Sequence, residues 1–233
     1  MKRILLKLSG EALAGAAGKG LDNATVLGVA SQVKKIVDDG TAVGIVIGGG
    51  NFWRGDEHVA EIERTKGDQI GMLATVMNCL YVSEVFRKTG LKTRVVTPFI
   101  VGTFTGQYSK DTVMEALAGG EVVFFAGGTG HPYFSTDTAT VLRAIEIEAD
   151  GILMAKSVDA VYDKDPAKHP DAVKYESITI DEVVRKGLGV IDQAAAVLCK
   201  ENKMPLFVFG LNVENSIVSV ASGEKEGTVV LPE

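Results

Sequence analysis

The sequence predicts a three-layer α/β/α sandwich built on a mainly parallel central sheet. Three observations carry that prediction. Short β-branched or leucine-rich runs bounded by glycine recur along the chain, helix-length segments separate them, and the two kinds of segment alternate almost from end to end. In sheets of this kind ligands bind outside the carboxyl ends of the strands, so the loops that follow the strands are where function is sought.

In order, the apolar runs are Arg3 to Leu8, Ala42 to Ile47, Thr93 to Thr97, Glu121 to Ala126, Ile152 to Ala155 and Pro205 to Phe209, all read as buried strands. The helical segments are Asn23 to Asp39, stopped by Gly40, and Gly67 to Thr89, stopped by Gly90, then Lys110 to Ala118, Thr136 to Ala149, Asp181 to Lys186, Asp192 to Asn202 and Glu214 to Ala221. Lys164 to Val173 is polar, contains Pro166 and Pro170, and reads as a loop. Short strands at Tyr175 to Ile180 and Gly227 to Leu231 are expected to pair beside it. At 233 residues the expectation is one domain over 1–233, with an N-terminal lobe over about 1–150 and a C-terminal lobe over about 151–233.

Composition narrows the function classes. Apolar residues make up 46% and charged residues 23%, a globular balance with no low-complexity stretch. The net charge of −6 argues against a nucleic-acid surface, which needs a basic face. Met1-Lys2-Arg3 passes directly into Ile4-Leu5-Leu6, too short an apolar run for a signal peptide or a membrane span, and a cytoplasmic protein without a membrane partner is expected. Cys79 and Cys199 are far apart and His58, His131 and His169 are scattered, so neither a disulfide nor a zinc site is expected. No Ser–His or Cys–His pairing suggests hydrolysis.

Four strand ends carry unusual loops. Lys7-Leu8-Ser9-Gly10 delivers a lysine and then a small turn whose N–H groups can approach a phosphate. Gly48-Gly49-Gly50-Asn51-Phe52-Trp53-Arg54 offers main chain without Cβ atoms and an arginine fork. Gly127-Gly128-Thr129-Gly130-His131-Pro132-Tyr133-Phe134-Ser135-Thr136-Asp137 opens a helix. Lys156 to Pro166 carries both cations and carboxylates. Taken singly, a glycine triplet is often only a turn, Lys7 a solvated strand end, and Asp159 or Asp165 a turn former. Taken together on one sheet edge they point to phosphates. The P-loop and dinucleotide fingerprints are both absent, which disfavours a P-loop ATPase or an NAD enzyme.

These loops, with Gly67 to Asn78 and Ile145 to Asp150, resemble the bacterial UMP kinase branch of the amino-acid-kinase family over essentially the whole chain. The resemblance implies that fold and ATP-dependent phosphorylation of UMP to UDP, with Mg²⁺ carried by ATP and no metal ligand from the protein. It also implies a homohexamer and GTP or UTP as effectors; the Gly67 to Thr89 helix, more apolar than one buried stripe requires, either joins the protomers or lies in the monomer core. By residue, it implies ATP contacts from Lys7, Leu8, Ser9, Gly10, Gly50, Arg54, Lys156, Tyr162 and Asp165. It implies UMP contacts from Gly49, Asp68, Thr129, Gly130, His131, Pro132, Tyr133, Phe134, Ser135 and Thr136. Lys7 and Arg54 would carry catalysis, with the acids Asp137 and Asp192 as supports near the reacting phosphates.

The chain departs from that pattern in three places. Lys156 stands where threonine or asparagine is usual, His131 where asparagine is frequent, and Ser83, Arg87 and Lys110 where GTP-linked residues stand in some members. Two alternatives keep the fold. One is a kinase for a carboxylate, carbamate or isoprenoid phosphate, and the other is a binder of nucleotides or oxyanions without turnover.

Overall fold

The computed structural model describes residues 1–53 and 62–233. Their nine strands form one sheet in the order β4-β3-β5-β2-β1-β6-β8-β9-β7. The strands are β1 (Arg3–Leu8), β2 (Ala42–Ile47), β3 (Thr93–Thr97), β4 (Gly106–Gln107), β5 (Val122–Phe125), β6 (Gly151–Lys156), β7 (Ser177–Thr179), β8 (Leu206–Gly210) and β9 (Thr228–Leu231). From β4 to β8 all neighbours run parallel. β9 turns antiparallel against β8 and pairs in parallel with β7, the expected pairing of the two late strands. β4 is a strand that periodicity does not reveal, because two exposed residues carry no alternation.

The helices are α1 (Gly10–Leu13), α2 (Asn23–Asp38), α3 (Arg64–Lys88), α4 (Lys110–Ala118), α5 (Thr136–Glu146), α6 (Ile180–Arg185), α7 (Gln193–Glu201) and α8 (Ser216–Ser222). They cover both faces of the sheet. α2, α3 and α8 pack with Ile4, Leu6 and Leu8 of β1 and with Leu153 and Ala155 of β6. α4, α5, α6 and α7 pack with Leu5 of β1 and with Ile152 and Met154 of β6. Alternation along each strand therefore assigns every residue a face. Gly44 shows how tightly that packing is drawn, since a Cβ there would lie 2.8 Å from the Phe125 ring and 2.9 Å from Leu5 Cδ1.

The helices begin and end where their side chains direct. Asp22, Ser135, Thr179 and Asp192 accept backbone N–H groups at the starts of α2, α5, α6 and α7. α5 stops at Glu146, short of the expected Ala149, because Glu148 adopts a left-handed φ of 55° and turns the chain into β6. α3 is long and apolar enough by composition to cross a membrane, but half of its most apolar stretch is buried within the fold. The division expected near residue 150 falls in the turn between α5 and β6, and the sheet is continuous across it through β1–β6 pairing.

β1 is the switch point. Its β2 neighbour begins the half ending at β4, and its β6 neighbour begins the half ending at β7. The loops after β1, β2, β5 and β6 converge on one sheet edge, where such crevices hold ligands.

Candidate active site

The glycine triplet is locked from beneath by two buried amides. Asn51 Nδ2 donates to Asn78 Oδ1 at 3.0 Å, and Asn78 Nδ2 donates back to Asn51 Oδ1 at 2.8 Å. Each amide also donates to a main-chain carbonyl, Asn51 to Gly20 at 2.6 Å and Asn78 to Gly48 at 2.7 Å. The backbone around them has no room for side chains. A Cβ on Gly10 would lie 2.4 Å from Asn51 Oδ1 and 2.5 Å from Gly48 O; one on Gly49 would lie 2.9 Å from Gly71 O of α3. The first two loops are thus packed on each other and on α3 before any ligand arrives. Leu8 contributes main chain only, since its side chain is wholly buried in the opposite core.

A cavity of about 380 Å³ opens beside the triplet, lined by Gly49, Trp53, Asp68, Gly71, Met72, Thr75, Gly128, Thr129, Phe134, Ser135 and Thr136. The expected acceptor residues Gly49, Asp68, Thr129 and Phe134 to Thr136 therefore come together. The loop after β5 owes its path to left-handed glycines, with φ of 80° at Gly127, 61° at Gly128 and 84° at Gly130. Two side chains of α3 hold it. The Thr75 hydroxyl accepts the Gly127 N–H at 2.8 Å, and the Asp68 carboxylate accepts the Tyr133 N–H at 2.8 Å. Tyr133 is itself left-handed at φ 70°, and Arg64, paired to Asp68 at 3.0 Å, lies over its ring. His131 and Pro132 belong to the same loop but do not line this cavity.

At the centre, Lys7 Nζ lies 2.9 Å from Asp137 Oδ1, the acid in the first turn of α5. The approach is an ion pair without hydrogen-bond alignment, and that buried oxygen has no hydrogen-bond donor. Asp192 does different work. Its carboxylate accepts the Ser135 and Thr138 hydroxyls and the Ala195 N–H, so one side chain fastens the N-termini of α5 and α7. Burial opposes its charge, yet hydrogen bonds led by Ser135 hold its pKa below the ordinary carboxylate value.

On the other side of β1 a second cavity, about 360 Å³, is lined by Lys156, Val158, Tyr162 and Asp165 of the loop after β6, and by Lys186 to Val190. The expected donor residues Lys156, Tyr162 and Asp165 come together there. Tyr162 donates to Asp159 at 2.9 Å, and Asp159 also pairs with Lys174 at 3.2 Å. Asp165 accepts the Ala167 N–H at 3.0 Å, so it forms the turn as well as lining the cavity.

The facing wall, Gly187-Leu188-Gly189-Val190, was missed in the sequence because it looks like an ordinary helix end; its paired glycines are the signal that it can approach a flat ligand. Trp53, Met72 and Thr75 were likewise missed as lining residues, and Asn51 and Asn78 as supports. Arg54 lies outside the described residues, as does His58. The residues at the GTP-linked positions have internal partners: Ser83 and Arg87 bond Thr93, and Lys110 pairs with Glu148 at 2.9 Å. Among the described residues no group of three or more His, Cys, Asp and Glu could hold a metal ion.

Two cavities on the carboxyl edge of a parallel sheet, beside glycine-rich strand ends and the Lys7–Asp137 ion pair, fit an α/β protein that binds phosphorylated ligands. The model of the amino acid kinase family matches residues 2–210, and the chain belongs to that family. It is 47% identical over 230 residues to a uridylate kinase of Psychrobacter sp. strain PRwf-1, covering 98% of this chain and 95% of that one. It is 48% identical, over the same shares, to a uridylate kinase of Psychrobacter cryohalolentis. The crystal structure of a UMP kinase from Bacillus anthracis superposes with a TM-score of 0.94 at 37% identity, covering 100% of this chain and 96% of that one.

Proposed function

We propose that the protein is a uridylate kinase, transferring the γ-phosphoryl group of ATP to UMP to give ADP and UDP in pyrimidine nucleotide synthesis. The observation that carries this reading is a pair of cavities on one sheet edge, one on each side of β1, whose Lys7 pairs with Asp137 at 2.9 Å. Gly49, Asp68, Thr129 and Phe134 to Thr136 edge one cavity, and Lys156, Tyr162 and Asp165 edge the other. UMP occupies the first and ATP the second, with Ser9, Gly10 and Gly50 amides and Arg54 on the phosphates.

The chemistry needs no general base. The nucleophile is an oxygen of the acceptor phosphate, already ionised at neutral pH; its bond to the γ-phosphorus forms as the bond to the bridging oxygen breaks and ADP leaves. The protein's task is to hold two anions in line and neutralise the charge on the moving group. Lys7 supplies a cation, Asp137 fixes its position, and Asp192 fixes the helix that carries Asp137. Mg²⁺ carried by the nucleotide would neutralise part of its phosphate charge. The wide cavity on the acceptor side, open to a whole nucleoside phosphate, favours this reading over a kinase for a small carboxylate or carbamate.

The same reading holds the protein to be cytoplasmic and hexameric. In support of assembly, α3 leaves Ile70, Leu73, Met77 and Tyr81 exposed at helical spacing along one stripe. A coupled assay of ADP release against a panel of nucleoside monophosphates tests the function. UMP as the preferred acceptor is the expected result, and inertness towards UMP with turnover of another acceptor rejects it. The same assay with and without GTP is expected to show no activation, because Ser83, Arg87 and Lys110 are engaged within the fold.

A further inference from the structure

Lys156 ends β6, and its position is set by the register of β1 and β6. Lys7 pairs with Met154 across the parallel ladder, so Lys156, two residues on, projects from the same face as Lys7. That face carries α5, and Asp137 in its first turn meets Lys7 at 2.9 Å. Lys156 is partly buried, lines the nucleotide cavity, and donates its ammonium to the carbonyl of Val190. Two lysines therefore project from the same face of neighbouring strands, the first paired with Asp137 and the second with a neutral carbonyl as its resting partner.

We propose that Lys156 is a second catalytic cation, which leaves the Val190 carbonyl when nucleotide binds and joins Lys7 on the phosphates. The proposal rests on the uridylate kinase reading and adds to it a residue and a charge change. A carbonyl is a weak partner for an ammonium, and a phosphate oxygen within reach is a far stronger one. Burial pushes the Lys156 pKa down, Asp137 draws it back up, and Lys7 pushes it down again; the balance is a lowered value. The other charged groups facing it across the cavity are Asp163, Lys164, Asp165 and Lys186. Polyphosphate brings negative charge against the ammonium and raises that pKa, so nucleotide binding at alkaline pH takes up a proton.

Calorimetry of ATP binding without UMP, between pH 8 and 10 in buffers of different ionisation enthalpy, reads that proton directly. In this range phosphates are ionised and histidine is neutral. The wild-type protein is expected to take up protons over this range, and Lys156→Met to take up fewer. Lys156→Met is also expected to lower kcat by about tenfold or more, the scale of one electrostatic contact to a transition state, with partial recovery in Lys156→Arg. UMP affinity and thermal midpoint close to wild type show that the fold is kept. Wild-type binding without proton uptake overturns the proposal whatever the variants do, as does Lys156→Met turnover within twofold of wild type. Wild-type protein inert towards ATP and UMP rejects the functional reading itself, whereas an active wild type with an indifferent Lys156→Met rejects only this inference.

Discussion

Asn51 and Asn78 donate to each other's amide oxygens across 27 residues of sequence, and through their second N–H groups each fixes a carbonyl of a neighbouring loop. The pair is buried, so removing one amide leaves the other unsatisfied. Asn78→Ala is expected to cost about 1–3 kcal/mol of stability and to loosen the glycine triplet as well. Urea unfolding and UMP turnover measured on the same preparation check both effects; unchanged stability would show that the pair is not a support.

Lys7→Ala is expected to lower turnover at least about tenfold with folding intact, because Asp137 then stands beside the phosphates without its partner cation. Steady-state kinetics at saturating ATP and UMP decide the point, and wild-type kcat in the variant would remove Lys7 from the mechanism.

A methyl group at Gly49 meets a main-chain carbonyl of α3 at 2.9 Å, a neighbour that cannot swing aside. Gly49→Ala should therefore separate loop and helix, destabilise the protein by about 1–3 kcal/mol and raise the KM for UMP more than that for ATP. Equal changes in the two KM values would place the effect elsewhere.

Asp68 closes the acceptor loop by accepting the Tyr133 N–H while paired with Arg64. Asp68→Ala is expected to weaken UMP binding by about tenfold, the worth of one charge-assisted hydrogen bond, and to leave ATP binding close to wild type. Titrations with each nucleotide alone read the two affinities.

The depressed pKa of Asp192 gives a prediction in acid. Its unfolded value is near 3.8 and its folded value lies lower, so its contribution is complete above about pH 3.8 and disappears as pH falls through the folded value. Urea midpoints followed from pH 5 to pH 2 should fall less steeply in Asp192→Asn than in the wild type. Parallel profiles would count against a stabilising charge at this position.

Much of this was legible in the sequence, for physical reasons. β1, β2, β3 and α4 begin and end where periodicity and glycine mark them, because their apolar runs are bounded by turn residues on both sides. Lys7, Gly49 and the Thr129–Thr136 loop stood out as candidates because glycines and charges at strand ends are costly without a use, whereas Asp68, in the first turns of α3, came only from the family resemblance. β4 and α1 were hidden by their shortness. The Asn51–Asn78 pair, the Thr75 and Asp192 hydrogen bonds and the Gly187–Val190 wall depend on contacts between segments distant in sequence. Asp192 read as an acid near the phosphates; in the fold its oxygens are taken up by hydroxyls and an amide, which is a helix-capping arrangement.

One carboxylate fastening two helix starts has a mechanical consequence. The chain enters α5 from the glycine-rich loop after β5 and enters α7 from the Gly187–Val190 wall, so Asp192 is a rivet joining two plates at their edges. A displacement of either plate that keeps the rivet whole must be shared by the other. A ligand that shifts the loop on one side is therefore expected to shift the loop on the other, through a single carboxylate.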